Sequence, residues 1–187
     1  MSRKINIENL SKIVSHALRH EPETYKITLD SEGWIRLEEL CDAISKKIPE
    51  FIQLEIEDIL EMVISAKKQR HEIKDGMIRA IYGHSTDISP TYEPIIPPSE
   101  LYHGTTKEVA SEILQQGLKP MNRLYVHLSS NKNMAYKVGK RKSENPIILK
   151  VKTSEANIDG IKFFCANKDV WLSEFIPSKF IFIDREI

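Results

Sequence analysis

The protein has 187 residues, with 27 Lys and Arg against 27 Asp and Glu, 41% hydrophobic residues and two cysteines. This hydrophobic share is typical of a chain with a packed core and excludes a disordered or collagen-like protein, and the length fits one domain or two small lobes. Cys41 and Cys165 stand outside any CxxC spacing, so neither a zinc site nor a disulfide framework is predicted.

Membrane contact is not expected. The basic start MSRK is not followed by the apolar stretch of a signal peptide, and no apolar run reaches the roughly 18–20 residues that cross a bilayer. We therefore expect a cytoplasmic protein.

Three helices and a hairpin are predicted in the first half of the chain. Each helix has apolar residues at the spacing of one helix face, and Pro22 ends the first helix close to Arg19 and His20. The three stripes are Leu10, Ile13, Val14, Ala17 and Leu18; Leu37, Leu40, Cys41 and Ile44; and Ile56, Ile59, Leu60, Val63 and Ile64. Residues 71–74 and 77–80 flank Asp75-Gly76, a strong hairpin signal.

Three short helices followed by a hairpin are typical of a winged-helix unit, a shape that docks on nucleic acid. The alternative is a helical cap that only packs on the second lobe. This alternative stays open because residues 1–98 carry 13 Lys and Arg against 17 Asp and Glu, an acidic balance that does not favour a polyanion.

A boundary is predicted near residues 86–100, where Pro90, Pro94, Pro97 and Pro98 favour an extended connector. It separates a lobe of about residues 1–95 from a lobe of about 99–187. The second lobe is predicted to be α+β. Its predicted strands are 101–105, 124–129, 147–151, 163–164, 170–172 and 180–183, and its helices are one through Val109 that ends at Gly117 and one over 131–138.

The second lobe also carries the strongest charge asymmetry. Residues 119–152 contain nine Lys and Arg but a single acid, Glu144. A segment of this kind can bind a polyanion through phosphate contacts and counterion release, and a solvated basic surface is the alternative.

Several familiar catalytic signatures are absent. The chain has no GxxxxGK[ST], GxGxxG or GxSxG, and HEIKD lacks the second histidine of HExxH, which weakens P-loop, Rossmann, hydrolase and zinc interpretations. Four of the six histidines instead stand beside Gly, Ser, Thr or Arg, namely His20, His84, His103 and His127. Small neighbours let a ligand approach the backbone, while imidazole and hydroxyl groups bind sugar or phosphate oxygens, although any one of these histidines alone is more often structural.

Six separated segments carry the most specific pattern. In chain order they read LSKIVSHALRHEPETYKITLDSEGWIRLEEL, KKQRHEI, IRAIYGHS, LYHGT, NRLYVHLS and VWLS. Together, from about Leu10 to Ile183, they resemble the NAD-dependent RNA 2′-phosphotransferase family. The resemblance implies a winged-helix-like RNA-binding lobe over 1–95 followed by an ADP-ribosyltransferase-like NAD-binding lobe over 99–187.

The resemblance also implies a metal-free reaction in two steps. An RNA 2′-phosphate attacks the anomeric carbon of the nicotinamide ribose and expels nicotinamide, giving an ADP-ribosylated RNA. The ribose 2″-hydroxyl then attacks the phosphorus, which leaves a plain 2′-hydroxyl on the RNA and releases ADP-ribose 1″,2″-cyclic phosphate. The expected substrate is RNA with an internal 2′-phosphate, of the kind left at a tRNA splice junction, and the expected state is a monomer.

The family's site residues carry over by motif. The catalytic set falls on Arg19, His20, Arg70 and Arg123, where guanidinium groups can grip a phosphate dianion. His20 either binds the phosphate or moves a ribose proton. The remaining assignments are His103, Gly104, Thr105, His127 and Ser129 to NAD, Gly83, His84 and Ser85 to the phosphate or ribose, and Lys137, Lys140, Arg141 and Lys142 to the RNA backbone.

Two positions depart from the family pattern. Tyr82 stands before GHS where Gln is common, and His71 replaces a usual aromatic residue after Arg70. With Tyr82, the contact that a Gln side chain makes at this position is not expected. The change at His71 is interpreted as a packing substitution. Two other functions stay open: an ADP-ribosyltransferase that acts on nucleic-acid or protein ends, and a non-catalytic winged-helix nucleic-acid binder.

Overall fold

The computed structural model describes residues 5–184, so the basic start at residues 1–4 lies outside the described part. The chain divides into two compact units, Met1–Thr91 and Tyr92–Ile187, and the division falls inside the proline-containing segment. That segment contains no helix, as predicted. Helices and two sheets together confirm the α+β class. None of the helices in the described part is long and apolar enough to span a membrane.

Unit 1, residues 1–91, combines helices with a small antiparallel sheet. Its elements are α1 (Ile7–Arg19), β1 (Ile35–Arg36), α2 (Leu37–Lys47), α3 (Ile56–Ile64), β2 (His71–Lys74) and β3 (Met77–Ala80), with 3₁₀ turns at Pro22–Tyr25 and Pro49–Phe51. The strand order is β1-β3-β2, and Ile73 of β2 lies opposite Ile78 of β3. The apolar faces of the helices pack together with Ile35 and Ile78 in one core.

Local chemistry explains the confirmed elements. Asn6 caps α1 by accepting a hydrogen bond from the Asn9 N–H at 3.0 Å, and the helix ends at Arg19, three residues before Pro22. The predicted hairpin is present, and Asp75 (φ +51°) and Gly76 (φ +74°) have the left-handed conformation that a two-residue hairpin turn requires.

Two details of unit 1 differ from the sequence-based prediction. The short strand β1 was not predicted, because two residues are too few to show an alternating pattern. In α3 the predicted stripe is partly wrong. Ile64 is 84% exposed at the end of the helix, whereas Met62, which the stripe omitted, is buried beside Ile59.

Unit 2, residues 92–187, is built on one antiparallel sheet. Its elements are β4 (Glu100–Thr105), α4 (Lys107–Gln116), β5 (Val126–Ser129), α5 (Lys132–Gly139), β6 (Ile147–Lys152), α6 (Thr153–Ile158), β7 (Phe163–Asn167), β8 (Val170–Ser173) and β9 (Ile181–Ile183), with a 3₁₀ turn at Ser178–Phe180. The strand order is β7-β8-β5-β4-β6-β9. The Ile95 N–H donates to the Phe163 carbonyl at 2.9 Å, so the connector contacts the edge strand β7.

Most predicted elements of unit 2 are present, including the stop of α4 at Gly117, whose φ is +85°. The strand predicted from Leu124 begins only at Val126, because the chain still turns there: Met121 has φ +57° and the Arg123 N–H donates to the Pro120 carbonyl at 3.2 Å. The six-residue helix α6 was not predicted, since it is too short to show a periodic face.

Helix α5 packs unusually close to strand β4. A Cβ atom added to Gly104 would overlap the carbonyl oxygen of Ala135 and lie 2.7 Å from its carbonyl carbon. Gly139, one turn further along α5, has a similar constraint, since its added Cβ would lie 2.6 Å from Cβ of Pro146. Because these two glycines have no side chain, α5 can pack directly against the strand that carries His103 and Thr105.

Candidate active site

The first group of predicted residues lies at the carboxyl end of α1. Arg19 is the last residue of the helix and is only 9% exposed, and its Nη2 donates to the Arg70 carbonyl oxygen at 3.0 Å. His20 caps the helix, with its N–H donating to the His16 carbonyl, and its side chain is exposed. A buried guanidinium beside an exposed imidazole is an arrangement that can bind a doubly charged phosphate.

The segment Tyr82–Ser85 wraps around these two residues. The Ser85 N–H donates to the Arg19 carbonyl at 3.0 Å, and the Ser85 hydroxyl lies 2.8 Å from Nδ1 of His20. Gly83 has φ +91°, and a Cβ atom placed there would lie 3.5 Å from Nη1 of Arg19. The structure therefore brings Gly83 and Ser85 to the Arg-His pair, and their assigned contact with phosphate or ribose stays a prediction.

Arg70 joins this group through its backbone. Its carbonyl oxygen accepts hydrogen bonds from the Ile81 N–H at 2.9 Å and from Arg19, and its side chain is half-buried. The positive charges of Arg19 and Arg70 also act on the buried His71, whose Nε2 lies 3.1 Å from the Ser15 hydroxyl. Arg19, His20 and Arg70 thus cluster within unit 1.

His84 and His71 are both buried in unit 1, each about 3% exposed. The pKa of His84 is lowered to about 4, mainly by burial and then by the positive charges of Arg19, His20 and Arg79. The pKa of His71 is lowered to about 3, again mainly by burial and then by Arg19 and Arg70. Both rings are therefore neutral at pH 7. The Nε2 atom of His84 has no hydrogen-bond partner among the described residues, and its assigned contact with phosphate or ribose stays a prediction.

These two histidines predict an acid-sensitive stability. In the unfolded chain their pKa is about 6.5, so between about pH 6.5 and 4 the unfolded state binds protons that the folded state excludes, and the free energy of unfolding falls as the pH is lowered. Each histidine contributes at most about 1.4 kcal/mol per pH unit. We expect His71→Phe to make this slope shallower by up to that amount in urea unfolding curves, and an unchanged slope would contradict the assignment.

The second group of predicted residues lies in unit 2, where two central strands separate. Strand β4 pairs with β6 over six residues, and β5 pairs with β8 over four. In the described part of unit 2, in contrast, β4 and β5 pair with each other at one position, Tyr102 with Ser129. The ladder does not continue to His103 on β4 or His127 on β5. The two strands are thus not paired at these positions, which leaves an opening in the backbone pairing of the sheet.

The side chain of His103 lies in this opening. Its Nδ1 is 3.0 Å from the His127 carbonyl oxygen, and because a carbonyl only accepts, Nδ1 carries the proton. Burial lowers the pKa of His103, as do the positive charges of Lys142 and Arg123, whereas the hydrogen bond to His127 raises it. The ring is therefore neutral at pH 7, and its Nε2 is a hydrogen-bond acceptor suited to a hydroxyl group.

The other residues assigned to NAD line the same two strands. Thr105 and Ser129 are buried, at 6% and 8% exposure, and Nδ1 of His127 lies 2.9 Å from the Tyr125 carbonyl oxygen. Gly104 is explained by the packing of α5 described above, so the structure gives it a reason that does not depend on a ligand.

Arg123 belongs to unit 2 and lies in the exposed turn before β5, near enough to His103 to lower its pKa. That Arg123 joins Arg19, His20 and Arg70 around one phosphate stays a prediction. Arg79, which the motif assignment left out, is engaged elsewhere: its guanidinium contacts Glu72 at 2.5 Å and Glu32 at 3.3 Å.

The basic segment 119–152 is only partly available for a polyanion. Lys132, Lys150 and Lys152 form ion pairs with Asp184, Glu100 and Glu155, at 2.8, 3.2 and 2.9 Å. The four residues assigned to RNA, at the end of α5 and just after it, are all exposed: Lys137, Lys140, Arg141 and Lys142. As for metals, residues 5–184 contain no group of three or more His, Cys, Asp or Glu side chains that could hold an ion.

Two contacts of this site were not predicted. The Ser85–His20 hydrogen bond was missed because its partners are 65 positions apart, although both belong to quoted motifs. The second is Tyr82, whose ring centroid lies 5.1 Å from Cζ of Arg19. From the sequence alone, Tyr82 is only a departure from the family pattern.

Comparison with known proteins identifies the family. A profile described as RNA 2′-phosphotransferase, Tpt1/KptA family, matches residues 5–175. A probable RNA 2′-phosphotransferase of Bacillus thuringiensis subsp. konkukian is 44% identical over 99% of this chain and 100% of the relative. Similar proteins with the same description from Acetivibrio thermocellus and Rhizobium rhizogenes are 41% and 37% identical, over 95% and 92% of this chain and 97% and 91% of their own lengths. With most of its length matched, and the Arg-His pair beside Arg70 and Ser85, this chain belongs to the RNA 2′-phosphotransferase family.

Proposed function

We propose that the protein removes an internal 2′-phosphate from RNA, of the tRNA splice-junction type, by transferring it to NAD. The observation that carries this proposal is the cluster of Arg19, His20, Arg70 and Ser85 in a member of a family whose curated relatives are named for RNA 2′-phosphotransfer. Release of nicotinamide and of ADP-ribose 1″,2″-cyclic phosphate, through an ADP-ribosylated RNA, belongs to the same proposal.

The three arginines are proposed to hold the phosphate. Permanently charged, planar guanidinium groups bind two phosphate oxygens at once and stabilise the charge that builds on the nonbridging oxygens during transfer. Burial of Arg19 strengthens this interaction, because water screens it less. The third guanidinium that the family motif assigns is that of Arg123.

His20 is proposed to act beside the phosphate. Its Nδ1 lies against the Ser85 hydroxyl, which fixes the plane of the ring. A ring held in this way either donates to a phosphate oxygen or takes the proton of a ribose hydroxyl. Both roles need the orientation that Ser85 provides.

The opening between β4 and β5 is proposed to hold NAD. Its residues fit a ribose, because the neutral His103 presents Nε2 as an acceptor for a hydroxyl. Thr105 and Ser129 carry buried hydroxyl groups on the same two strands. When bound, NAD supplies a ribose carbon with nicotinamide as leaving group and a neighbouring hydroxyl. His103 would contact the adenosine ribose and phosphates with Gly104 and Thr105, and His127 would line the same opening. Lys142 and Arg123 would favour an anionic ligand.

The finer fold and RNA assignments are part of this proposal. The order α1–β1–α2–α3–β2–β3 with a three-stranded sheet supports a winged-helix-like unit 1, and a sheet that opens between two central strands supports an ADP-ribosyltransferase-like unit 2. The exposed basic residues from Lys137 to Lys142 would contact the RNA backbone.

Nicotinamide release tests the proposal. We expect the purified protein, with a chelator present, to release nicotinamide only when NAD and an oligonucleotide with one internal 2′-phosphate are both supplied. Chromatography measures nicotinamide, and mass spectrometry measures the RNA. A stable ADP-ribose adduct would favour an ADP-ribosyltransferase. No release, with a melting temperature that NAD leaves unchanged, would favour a non-catalytic binder, since a ligand at 100 times its Kd stabilises by about 2.7 kcal/mol.

A further inference from the structure

Tyr82 lies against the most buried arginine of the candidate site. Its ring centroid is 5.1 Å from Cζ of Arg19, within the range at which a cation is attracted to an aromatic face. Because Arg19 is only 9% exposed, little water competes for its charge, and the attraction is stronger than on an open surface.

The backbone fixes this contact from both sides. The Ile81 N–H donates to the same Arg70 carbonyl that accepts from Arg19, so the start of the segment is tied to the oxygen that holds the guanidinium. After Tyr82, Gly83 turns the chain at φ +91° and leaves space beside Nη1 and Cδ of Arg19. The ring and the guanidinium are thus placed by one shared set of contacts.

We propose that Tyr82 is a positioning residue that holds the guanidinium of Arg19 in the orientation that binds the transferred phosphate, an inference that rests on the proposed function. The ring does this without cancelling the positive charge. A carboxylate in the same place would also hold the arginine, but it would reduce the charge available to the phosphate. An aromatic face attracts the cation through its quadrupole and leaves the net charge intact.

Single-turnover kinetics with the 2′-phosphorylated oligonucleotide and NAD test this role. We expect Tyr82→Leu to slow phosphate removal about tenfold and Tyr82→Phe, which keeps the ring, to stay within about twofold of the unaltered protein. In an Arg19→Ala background, Tyr82→Leu should have almost no further effect, because the ring then has no cation to orient.

Two results would overturn the proposal: equal slowing by Tyr82→Leu with and without Arg19, or equal slowing by Tyr82→Phe and Tyr82→Leu. Trp34→Leu is the matched control, since the ring of Trp34 lies 4.5 Å from Cζ of Arg79, an arginine that is not in the catalytic set. Its effect should combine additively with Arg19→Ala.

A second measurement does not depend on activity. The face of an aromatic ring shifts the NMR signals of nearby arginine Cδ protons upfield. Tyr82→Leu should therefore move the signals of Arg19 downfield and leave those of Arg79 in place. Trp34→Leu should move the signals of Arg79 downfield and leave those of Arg19 in place. Unmoved Arg19 signals would overturn the proposal even in an active enzyme. An inactive unaltered protein in which Arg19 responds as expected would contradict the proposed function and leave the contact itself established.

Discussion

Arg19→Ala is expected to slow 2′-phosphate removal by about 10³-fold, which is the largest kinetic effect that the site predicts. Loss of one preorganised hydrogen-bond donor to the charge that develops in the transition state slows an enzyme about 10²–10³-fold. We expect the upper value because Arg19 also provides a full positive charge that is buried. Arg19→Lys should recover part of this loss, because it restores the charge but not the planar pair of donors. Quenched-flow or manual single-turnover assays measure the rate.

The variant must be separated from a folding defect, since Arg19 also donates to the Arg70 carbonyl. Circular dichroism melts give the temperature range in which each variant is folded, and rates are compared there. Arg36→Ala is the matched control because Arg36 is an exposed arginine of the same unit that pairs with Glu38 at 3.6 Å. Near-normal turnover by a folded Arg19→Ala protein would contradict the assigned role.

Gly104→Ala is expected to have the largest effect on stability. Its added methyl group would overlap the backbone of Ala135, which cannot move aside like a flexible side chain, so helix α5 would have to shift from strand β4. We expect a loss of about 3 kcal/mol and, for a chain of this length, a melting temperature about 10 °C lower. Differential scanning calorimetry measures both quantities.

Gly160→Ala is the control for this substitution. Gly160 has φ +95° but no atom within 4 Å of its added Cβ, so the change costs only backbone strain, about 1 kcal/mol. Equal losses for the two variants would show that the close packing of α5 on β4 is not what Gly104 provides.

Much of this fold could be predicted from the sequence because its signals are local. Pro22 ends α1, Asp75-Gly76 forms the hairpin turn, and Gly117 ends α4; each acts through the conformation of its own backbone. The two-residue strand β1 and the six-residue helix α6 were not predicted, since so few residues show no period.

The residues of the candidate site could also be predicted from local motifs, whereas the contacts between them could not. Motifs gave the residue types, and Arg19, His20, Arg70 and Ser85 do lie together in unit 1. The Tyr82 ring on Arg19 and the opening between β4 and β5 depend on contacts between distant segments, which no local pattern encodes. The ion pairs of Lys132 and Lys150 likewise could not be found by counting charges in segment 119–152.

The fate of the 2′-phosphate tests the account most directly. An oligonucleotide with radioactive phosphorus in its single internal 2′-phosphate is incubated with the protein and NAD, and the products are separated by thin-layer chromatography. We expect all released label in ADP-ribose 1″,2″-cyclic phosphate, in equal amount to the nicotinamide formed. Label in inorganic phosphate, or label that stays on the RNA while NAD is in excess, would contradict it.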